Sequence, residues 1–176
     1  DPDHISGNGS FDYFYMHPDE EDNYRAHGGS GTILPVNDNE IIDLGNRPLK
    51  IIFIPGHTPG SIAVLDINSR VLISGDTVQD GNIFMFSERR NLPLYVESLK
   101  KLSMYTGEFD AIYPSHGSFP VSPGLIAELI EGAEQIINRT AKGKGVDMFG
   151  TPVKLYKFPY AGFLCDDTDD TYGNIE

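Results

Sequence analysis

Three stretches of the sequence each place one potential metal ligand in a glycine-containing turn after an apolar, β-like run. His57 lies in the turn at residues 54–61, Asp76 follows Ser74-Gly75, and His116 lies in the turn at residues 113–117. Neutral imidazole and carboxylate groups both bind divalent cations near neutral pH. Because all three side chains follow strand ends, we expect them to converge on a metal site.

Each of these residues also has a plainer structural interpretation. A histidine in a turn is often hydrogen-bonded to the backbone, and an aspartate after a strand often caps a turn or a helix. His57 favours the metal interpretation most strongly, because Pro55, Gly56, Pro59 and Gly60 restrict its turn. The combination of three residues is more specific than any one of them.

The order of these motifs resembles the C-terminal half of the metallo-β-lactamase superfamily, a hydrolase group that includes glyoxalase II and many thioesterase-like enzymes. The resemblance covers residues 39–139. It implies that His57 is the third ligand of a first metal ion, that Asp76 bridges two ions and that His116 binds the second. The implied cofactor is zinc, with up to two ions in the complete family site and with iron or manganese as alternatives.

The resemblance also implies a reaction and a small-molecule substrate. In the family, metal-bound hydroxide attacks an ester, thioester or lactone carbonyl, and thioester hydrolysis is the first expectation here. Relatives that resemble glyoxalase II carry basic residues near the pocket for anionic acyl-thioester substrates. Arg89 and Arg90 are therefore candidates for substrate binding, and a salt bridge at the start of a helix is their structural alternative.

One family motif, His-x-His-x-Asp-His, is not found in the sequence. Its candidates are His4, His17 and His27, and none has a second histidine two residues further on. We therefore expect the motif to lie before Asp1, and this chain to be a C-terminal portion that is inactive alone. The alternative function is a non-catalytic half-domain that associates with another chain or with itself. A redox relative that holds iron is a weaker alternative, because the sequence has no flavodoxin-like region.

Composition limits the partners. The chain has 176 residues, with 13 Lys and Arg against 26 Asp and Glu, so its net charge is −13. This charge argues against binding to nucleic acids and to anionic membranes. Cys165 is the only cysteine, which excludes an intrachain disulfide and is consistent with a cytoplasmic location. No apolar run reaches the roughly 20 residues of a membrane span, and no signal peptide is recognised.

The pattern of elements predicts one α/β domain over residues 1–176. We expect half of the family's αββα sandwich, a mixed sheet with helices packed on one face. Residues 1–31 are interpreted as an irregular lead-in with a short helix near residues 19–26, and residues 166–176 as an acidic tail. The predicted strands cover residues 40–44, 49–54, 61–66, 70–74, 111–113 and 153–158, with the strands at 61–66 and 70–74 forming a hairpin. Apolar stripes predict two main helices: Asn91 caps the first, and the second starts at Ser122-Pro123 and ends at Lys142-Gly143.

Overall fold

The computed structural model describes residues 1–166, which form eleven strands, three α-helices and three short 3-10 helices. The strands are β1 (Tyr13–Met16), β2 (Thr32–Pro35), β3 (Ile41–Asp43), β4 (Pro48–Phe53), β5 (Ile62–Asp66), β6 (Val71–Gly75), β7 (Asn82–Met85), β8 (Ala111–Pro114), β9 (Lys144–Met148), β10 (Thr151–Lys157) and β11 (Gly162–Asp166). The α-helices are α1 (Glu21–Ala26), α2 (Leu92–Ser103) and α3 (Leu125–Ile137). Short 3-10 helices cover Pro2–His4, Asn8–Ser10 and Pro18–Glu20.

The strands form one five-stranded, one four-stranded and one two-stranded sheet. The five-stranded sheet has the order β3-β4-β5-β6-β8, and every neighbouring pair is antiparallel except β6 and β8. The four-stranded sheet has the order β7-β11-β10-β9, with β7 and β11 parallel. Strands β1 and β2 form a separate parallel pair. The mixed α/β class predicted from the sequence is confirmed, although the strands divide among three sheets.

One hydrophobic core joins the two larger sheets to α2 and α3. Each of these elements contributes fully buried apolar side chains to it, including Ile52, Leu65, Leu72, Ile83, Tyr95, Leu99, Ile112, Leu129 and Phe163. Tyr95 connects α2 to the second sheet, because its ring meets that of Phe163 edge to face at 6.1 Å. Its hydroxyl donates a hydrogen bond to the Thr77 carbonyl at 2.7 Å, so the buried polar group is satisfied.

The two main helices form where the apolar stripes predict them. The Asn91 side chain caps α2 by accepting a hydrogen bond from the Leu94 amide at 2.9 Å, and Pro93 occupies the first turn. The start of α3 differs from the prediction, because Gly124 occupies the cap position without a side-chain bond. This helix also ends earlier than Lys142-Gly143, at Ile137.

The strands of the hairpin region were predicted, and several others were not. The structure confirms the antiparallel pair β5 and β6 and places β3 within its predicted run. Strands β4, β8 and β10 overlap their predicted runs but differ from them at the ends. Strands β7 and β11 were missed because they pair in parallel across a long stretch of chain, which leaves no hairpin signal.

The two ends of the chain also depart from the sequence interpretation. Residues 1–31 contain β1 and three 3-10 helices besides the expected short helix, α1. Cys165 is buried in β11 and does not belong to an irregular tail. Of the predicted acidic tail, Asp166 ends β11, and residues 167–176 lie outside the described part of the chain.

One face of the five-stranded sheet carries exposed apolar side chains. Ile73 and Tyr113 lie opposite each other on β6 and β8, and they are 49% and 40% exposed. Further along the same row, Val64 is half-buried and Ile51 is buried. Within residues 1–166, no helix has the length and apolar character needed to cross a membrane.

The turn that carries His57 lies against the start of α2, and Gly56 makes that approach feasible. Its φ of +135° is a backbone conformation that favours glycine, and a Cβ there would collide with the backbone nitrogen and Cα of Tyr95. Its carbonyl accepts a hydrogen bond from the Asn91 amide at 2.8 Å. The local sequence thus fixes the turn against the helix.

Gly56→Ala is therefore expected to lower the free energy of unfolding by about 2 kcal/mol or more, because it adds a steric collision to an unfavourable φ. Urea unfolding followed by circular dichroism measures the change. Gly45→Ala is the matched control, since Gly45 also has a positive φ, +91°, but nothing within 4 Å of an added Cβ. Equal losses in the two variants would contradict the proposed packing of the turn against α2.

Candidate metal centre

The three predicted ligands follow strands that run in the same direction. Strand β4 is antiparallel to β5, β5 is antiparallel to β6, and β6 is parallel to β8. The carboxyl ends of β4, β6 and β8 therefore lie at one edge of the sheet. His57, Asp76 and His116 follow those ends, and the structure brings all three together: His57 Nε2 lies 3.3 Å from Asp76 Oδ2, and His116 Nε2 lies 3.6 Å from Asp76 Oδ1.

His57 is buried and its ring is fixed through the nitrogen that faces away from the cluster. Nδ1 lies 3.1 Å from the Phe84 carbonyl oxygen, which can only accept a hydrogen bond. This contact therefore assigns a hydrogen to Nδ1 and leaves Nε2 facing Asp76 and Asp1. Metal-binding histidines are commonly oriented by such a bond from the second ring nitrogen.

Asp76 lies at the centre of three imidazoles. Its Oδ2 is 3.2 Å from His4 Nε2 and 3.3 Å from His57 Nε2, while its Oδ1 faces His116. Burial opposes ionisation of this carboxyl, but the hydrogen bond from His57 and the charges of the three histidines outweigh it and lower the pKa of Asp76. Within the described chain, Oδ1 is a buried oxygen without a hydrogen-bond partner.

Asp80, in the segment after β6, stabilises the turn that contains His116. Gly117 has a φ of +83°, and the Ser118 amide donates a hydrogen bond to Asp80 Oδ1 at 2.8 Å. Hydrogen bonds from Ser118 lower the pKa of the Asp80 carboxyl. His116 itself is half-exposed, so it forms the open side of the cluster.

The N-terminal residues complete the cluster, which corrects the sequence interpretation. Asp1 joins His57 and Asp76 in one group whose potential ligand atoms lie within 4.8 Å of one another. Asp3, His4 and His116 form a second such group. Asp3 Oδ2 lies 3.4 Å from both His4 Nε2 and His116 Nε2. The chain therefore supplies six candidate ligands, where the sequence analysis assigned three.

A signal for these residues is present in the sequence. The chain begins Asp1-Pro2-Asp3-His4, and the last two of these residues match the Asp-His pair that ends the motif His-x-His-x-Asp-His. In that alignment Asp1 stands where the motif has its second histidine. A pattern that requires two histidines in close spacing does not include this match.

The other two candidate histidines lie elsewhere in the local structure. His17 Nδ1 accepts a hydrogen bond from the Asp19 amide at 3.0 Å, and its ring packs 4.1 Å from that of Phe53. His27 Nδ1 lies 2.8 Å from the Asn23 carbonyl oxygen. Both rings thus have a hydrogen-bond partner in the nearby backbone, as the plainer structural interpretation of a turn histidine predicts.

Both arginines that were predicted to bind substrate contact carboxylates of the N-terminal segment. Arg90 Nη2 lies 2.9 and 2.8 Å from the two carboxylate oxygens of Asp1, and its Nη1 donates to the His57 carbonyl. Arg89 Nη2 donates to Glu20 Oε2 at 2.7 Å. Burial, opposed by nearby carboxylates, lowers the pKa of Arg90. These contacts match the structural alternative of ion pairs at the entry to α2, and substrate binding by either arginine stays a prediction.

The chemistry of this donor set fits divalent cations. Three imidazole Nε2 atoms and three carboxylates face one another, and Asp76 presents Oδ2 to His4 and His57 and Oδ1 to His116. A carboxylate placed in this way can contact two cations and offset part of their mutual repulsion. The buried Oδ1 of Asp76, without a hydrogen bond from residues 1–166, is an orphaned acceptor that a cation would satisfy.

Two cavities meet at this cluster, and Asp1, His57 and Asp76 line both of them. One, of about 270 Å³, extends towards β1 and α1, where Tyr15, Met16 and Tyr24 are among its lining residues. The other, of about 690 Å³, is also lined by His116, Arg90, Phe84 and the tip of the β9–β10 hairpin. The cluster is therefore accessible to a ligand of substantial size.

Comparison with known proteins supports the relationship that the motifs indicated. A family model described as the metallo-beta-lactamase superfamily matches residues 1–116. The acyl-coenzyme A thioesterase MBLAC2 of Homo sapiens is 32% identical over 95 residues, which are 53% of this chain and 34% of that protein. Its counterpart from Gallus gallus is 32% identical over 83 residues, 46% of this chain and 30% of that protein. The match thus spans about a third of the length of these relatives.

Solved structures share the fold. A metallo-beta-lactamase family protein from Thermus thermophilus, TTHA1429, superimposes with a TM-score of 0.61 at 19% identity, over 77% of this chain and 57% of that one. TTHA1623 in a di-iron-bound form superimposes with a TM-score of 0.58 at 23% identity, over 72% of this chain and 70% of that one. The family match includes residues 1–31, which lie outside the range of the sequence resemblance. The chain belongs to the metallo-beta-lactamase superfamily.

Proposed function

We propose that this chain is a metal-dependent hydrolase whose substrates are acyl thioesters. The observation that carries the proposal is the position of Asp76, whose Oδ2 faces His4 and His57 and whose Oδ1 faces His116. The names of the MBLAC2 relatives support the thioester among the ester, thioester and lactone substrates that the family resemblance allows. The single cysteine supports a cytoplasmic location.

The residues of the cluster divide into two groups around Asp76. His57, Asp1 and Asp76 would hold one cation, and His4, Asp3, His116 and Asp76 a second. Cations bound there would polarise a substrate carbonyl and make a water molecule more acidic. Asp3 is 60% exposed and lines the larger cavity, so its carboxylate is placed to accept a proton from an attacking water. Arg90 orients Asp1 by contacting both carboxylate oxygens.

Zinc is the proposed cofactor, with iron and manganese as alternatives. Imidazole nitrogen binds zinc and iron well, while carboxylate oxygen also suits manganese. Because the cluster contains as many carboxylates as imidazoles, its donor set is compatible with each of these metals.

The first prediction concerns metal content. After gel filtration of protein prepared with zinc, elemental analysis is expected to find about two ions per chain, because Asp76 belongs to one ligand group and its carboxylate also faces His4 and His116 of the other. Asp76→Asn is expected to lower this content clearly, since it removes the shared charge. Asp110→Asn is the control, because Asp110 pairs with Arg70 at the surface. Wild-type content well below one ion per chain would overturn the two-cation site.

The second prediction concerns activity. A thiol-release assay with an acyl-coenzyme A substrate is expected to show hydrolysis that a chelator abolishes and that falls about 100-fold or more in His57→Ala. From the sequence we expect this chain to be inactive alone, because the motif that contains the Asp-His pair is expected before Asp1. The positions of Asp3 and His4 favour catalysis instead. An inactive wild-type protein with a full metal complement would contradict the proposal.

Association with a second copy of the chain is the alternative function, and the exposed Ile73-Tyr113 pair favours it. If this face is an interface, light scattering should detect a dimer that Ile73→Lys converts to a monomer. Ile67→Lys is the control, because Ile67 is 40% exposed but lies just after β5, outside this face. A monomeric wild-type protein at all concentrations would exclude self-association.

A further inference from the structure

The turn between β9 and β10 places a phenylalanine in a conformation that this residue type rarely adopts. Met148 pairs with Thr151, so Phe149 and Gly150 form a two-residue hairpin turn. Their φ angles are +55° and +84°, as in a type I′ turn, where Asn, Asp or Gly is favoured. A bulky side chain at positive φ is a backbone outlier. A residue such as asparagine would therefore suit the backbone of this turn better than Phe149 does.

Packing in the folded protein does not explain Phe149 either. Its side chain is 88% exposed, the highest value among the large apolar residues of the part described. The Gly150 amide donates a hydrogen bond to Asp147 Oδ1 at 2.9 Å, so the turn is stabilised without any contribution from the aromatic ring. An unfavourable conformation combined with an exposed apolar side chain indicates a role in binding rather than in folding.

The location of the hairpin tip specifies that role. Met148 and Phe149 line the cavity of about 690 Å³ that also contains His57, Asp76 and His116. The cavity therefore has an ionic side formed by the candidate metal ligands and an apolar side formed by the hairpin tip and Phe84. Its volume is typical of cavities that enclose a whole small molecule.

These two sides match the two chemical parts of an acyl compound. A carbonyl or carboxylate group suits the ionic side, and a hydrocarbon chain suits the side that carries Met148, Phe149 and Phe84. A chain lying in the cavity would cover the exposed ring of Phe149. A short acyl group, such as acetyl, would reach the ligands without needing the hairpin tip.

We propose that Phe149, together with Met148, binds the hydrocarbon chain of the acyl group and so makes the site selective for long-chain over short-chain acyl compounds. This inference rests on the proposed thioester hydrolysis for the identity of the substrate. Burial of one aromatic side chain against a hydrocarbon chain corresponds to roughly a 10-fold to 100-fold change in affinity.

The test compares decanoate with acetate, which share a carboxylate head and differ in the hydrocarbon chain. Isothermal titration calorimetry on zinc-loaded protein gives both dissociation constants. Phe149→Asn should raise the Kd for decanoate about 10-fold or more and leave the Kd for acetate unchanged. Its melting temperature should stay level or rise, because asparagine suits the first position of a type I′ turn. Phe149→Leu should retain most of the affinity for decanoate.

Phe11→Asn is the matched control, because Phe11 is 65% exposed and lines neither of the two cavities. The proposal is overturned if wild-type protein does not bind decanoate, if Phe149→Asn leaves decanoate binding unchanged, or if it weakens acetate binding equally. A fall in melting temperature would assign Phe149 to folding instead and would also overturn it.

Hydrolysis of decanoyl-coenzyme A and acetyl-coenzyme A separates this inference from the proposed function. If Phe149→Asn weakens decanoate binding selectively but the wild-type protein hydrolyses neither thioester, the binding role of Phe149 is retained and the thioesterase is refuted. If the wild type and Phe149→Asn both hydrolyse the thioesters with the same preference for chain length, the thioesterase proposal is retained and the proposed role of Phe149 is refuted.

Discussion

The arrangement of the site depends on the contact between one carboxylate and three imidazoles. Asp76 can meet His4, His57 and His116 at once only because the ends of β4, β6 and β8 lie along the same edge of the sheet. Burial of a charged carboxylate is unfavourable unless positive or hydrogen-bonding groups surround it. The strands, the glycine-containing turns and the α2 packing below His57 therefore serve one requirement, which is to hold these four side chains close together.

Ion pairs attach the N-terminal segment to this edge. Arg90 contacts Asp1 and the carbonyl of His57, so the entry to α2 fixes both the first residue and the central turn. Glu20 acts similarly, since one oxygen accepts from the Gly60 amide at 2.8 Å and the other from Arg89. Because each carboxylate has two partners, residues 1–20 are positioned relative to the His57 turn by charge as well as by packing.

The elements that could be predicted from the sequence are those that depend on residues close to one another along the chain. The caps and stripes of α2, the hairpin of β5 and β6, and the three turns after β4, β6 and β8 all depend on residues close in sequence. The proximity of Asp3 to His116 and the pairing of β7 with β11 depend on contacts between distant segments. The periodicity of apolar residues in a sequence carries no information on contacts between distant segments. The Asp3-His4 pair was recognisable only as half of a motif, and nothing in the sequence near Phe149 indicated which cavity it would line.

Asp1 and His57 are 56 positions apart, yet both offer ligand atoms to one group. A cation held between them would act as a reversible crosslink that closes a long loop, in the way that a disulfide does in other small domains. Ligands that bind only the folded chain raise its stability by mass action. The first strand and helix would therefore depend on this crosslink more than the buried core around α2 does, and chelation would loosen residues 1–31 before it affected the core.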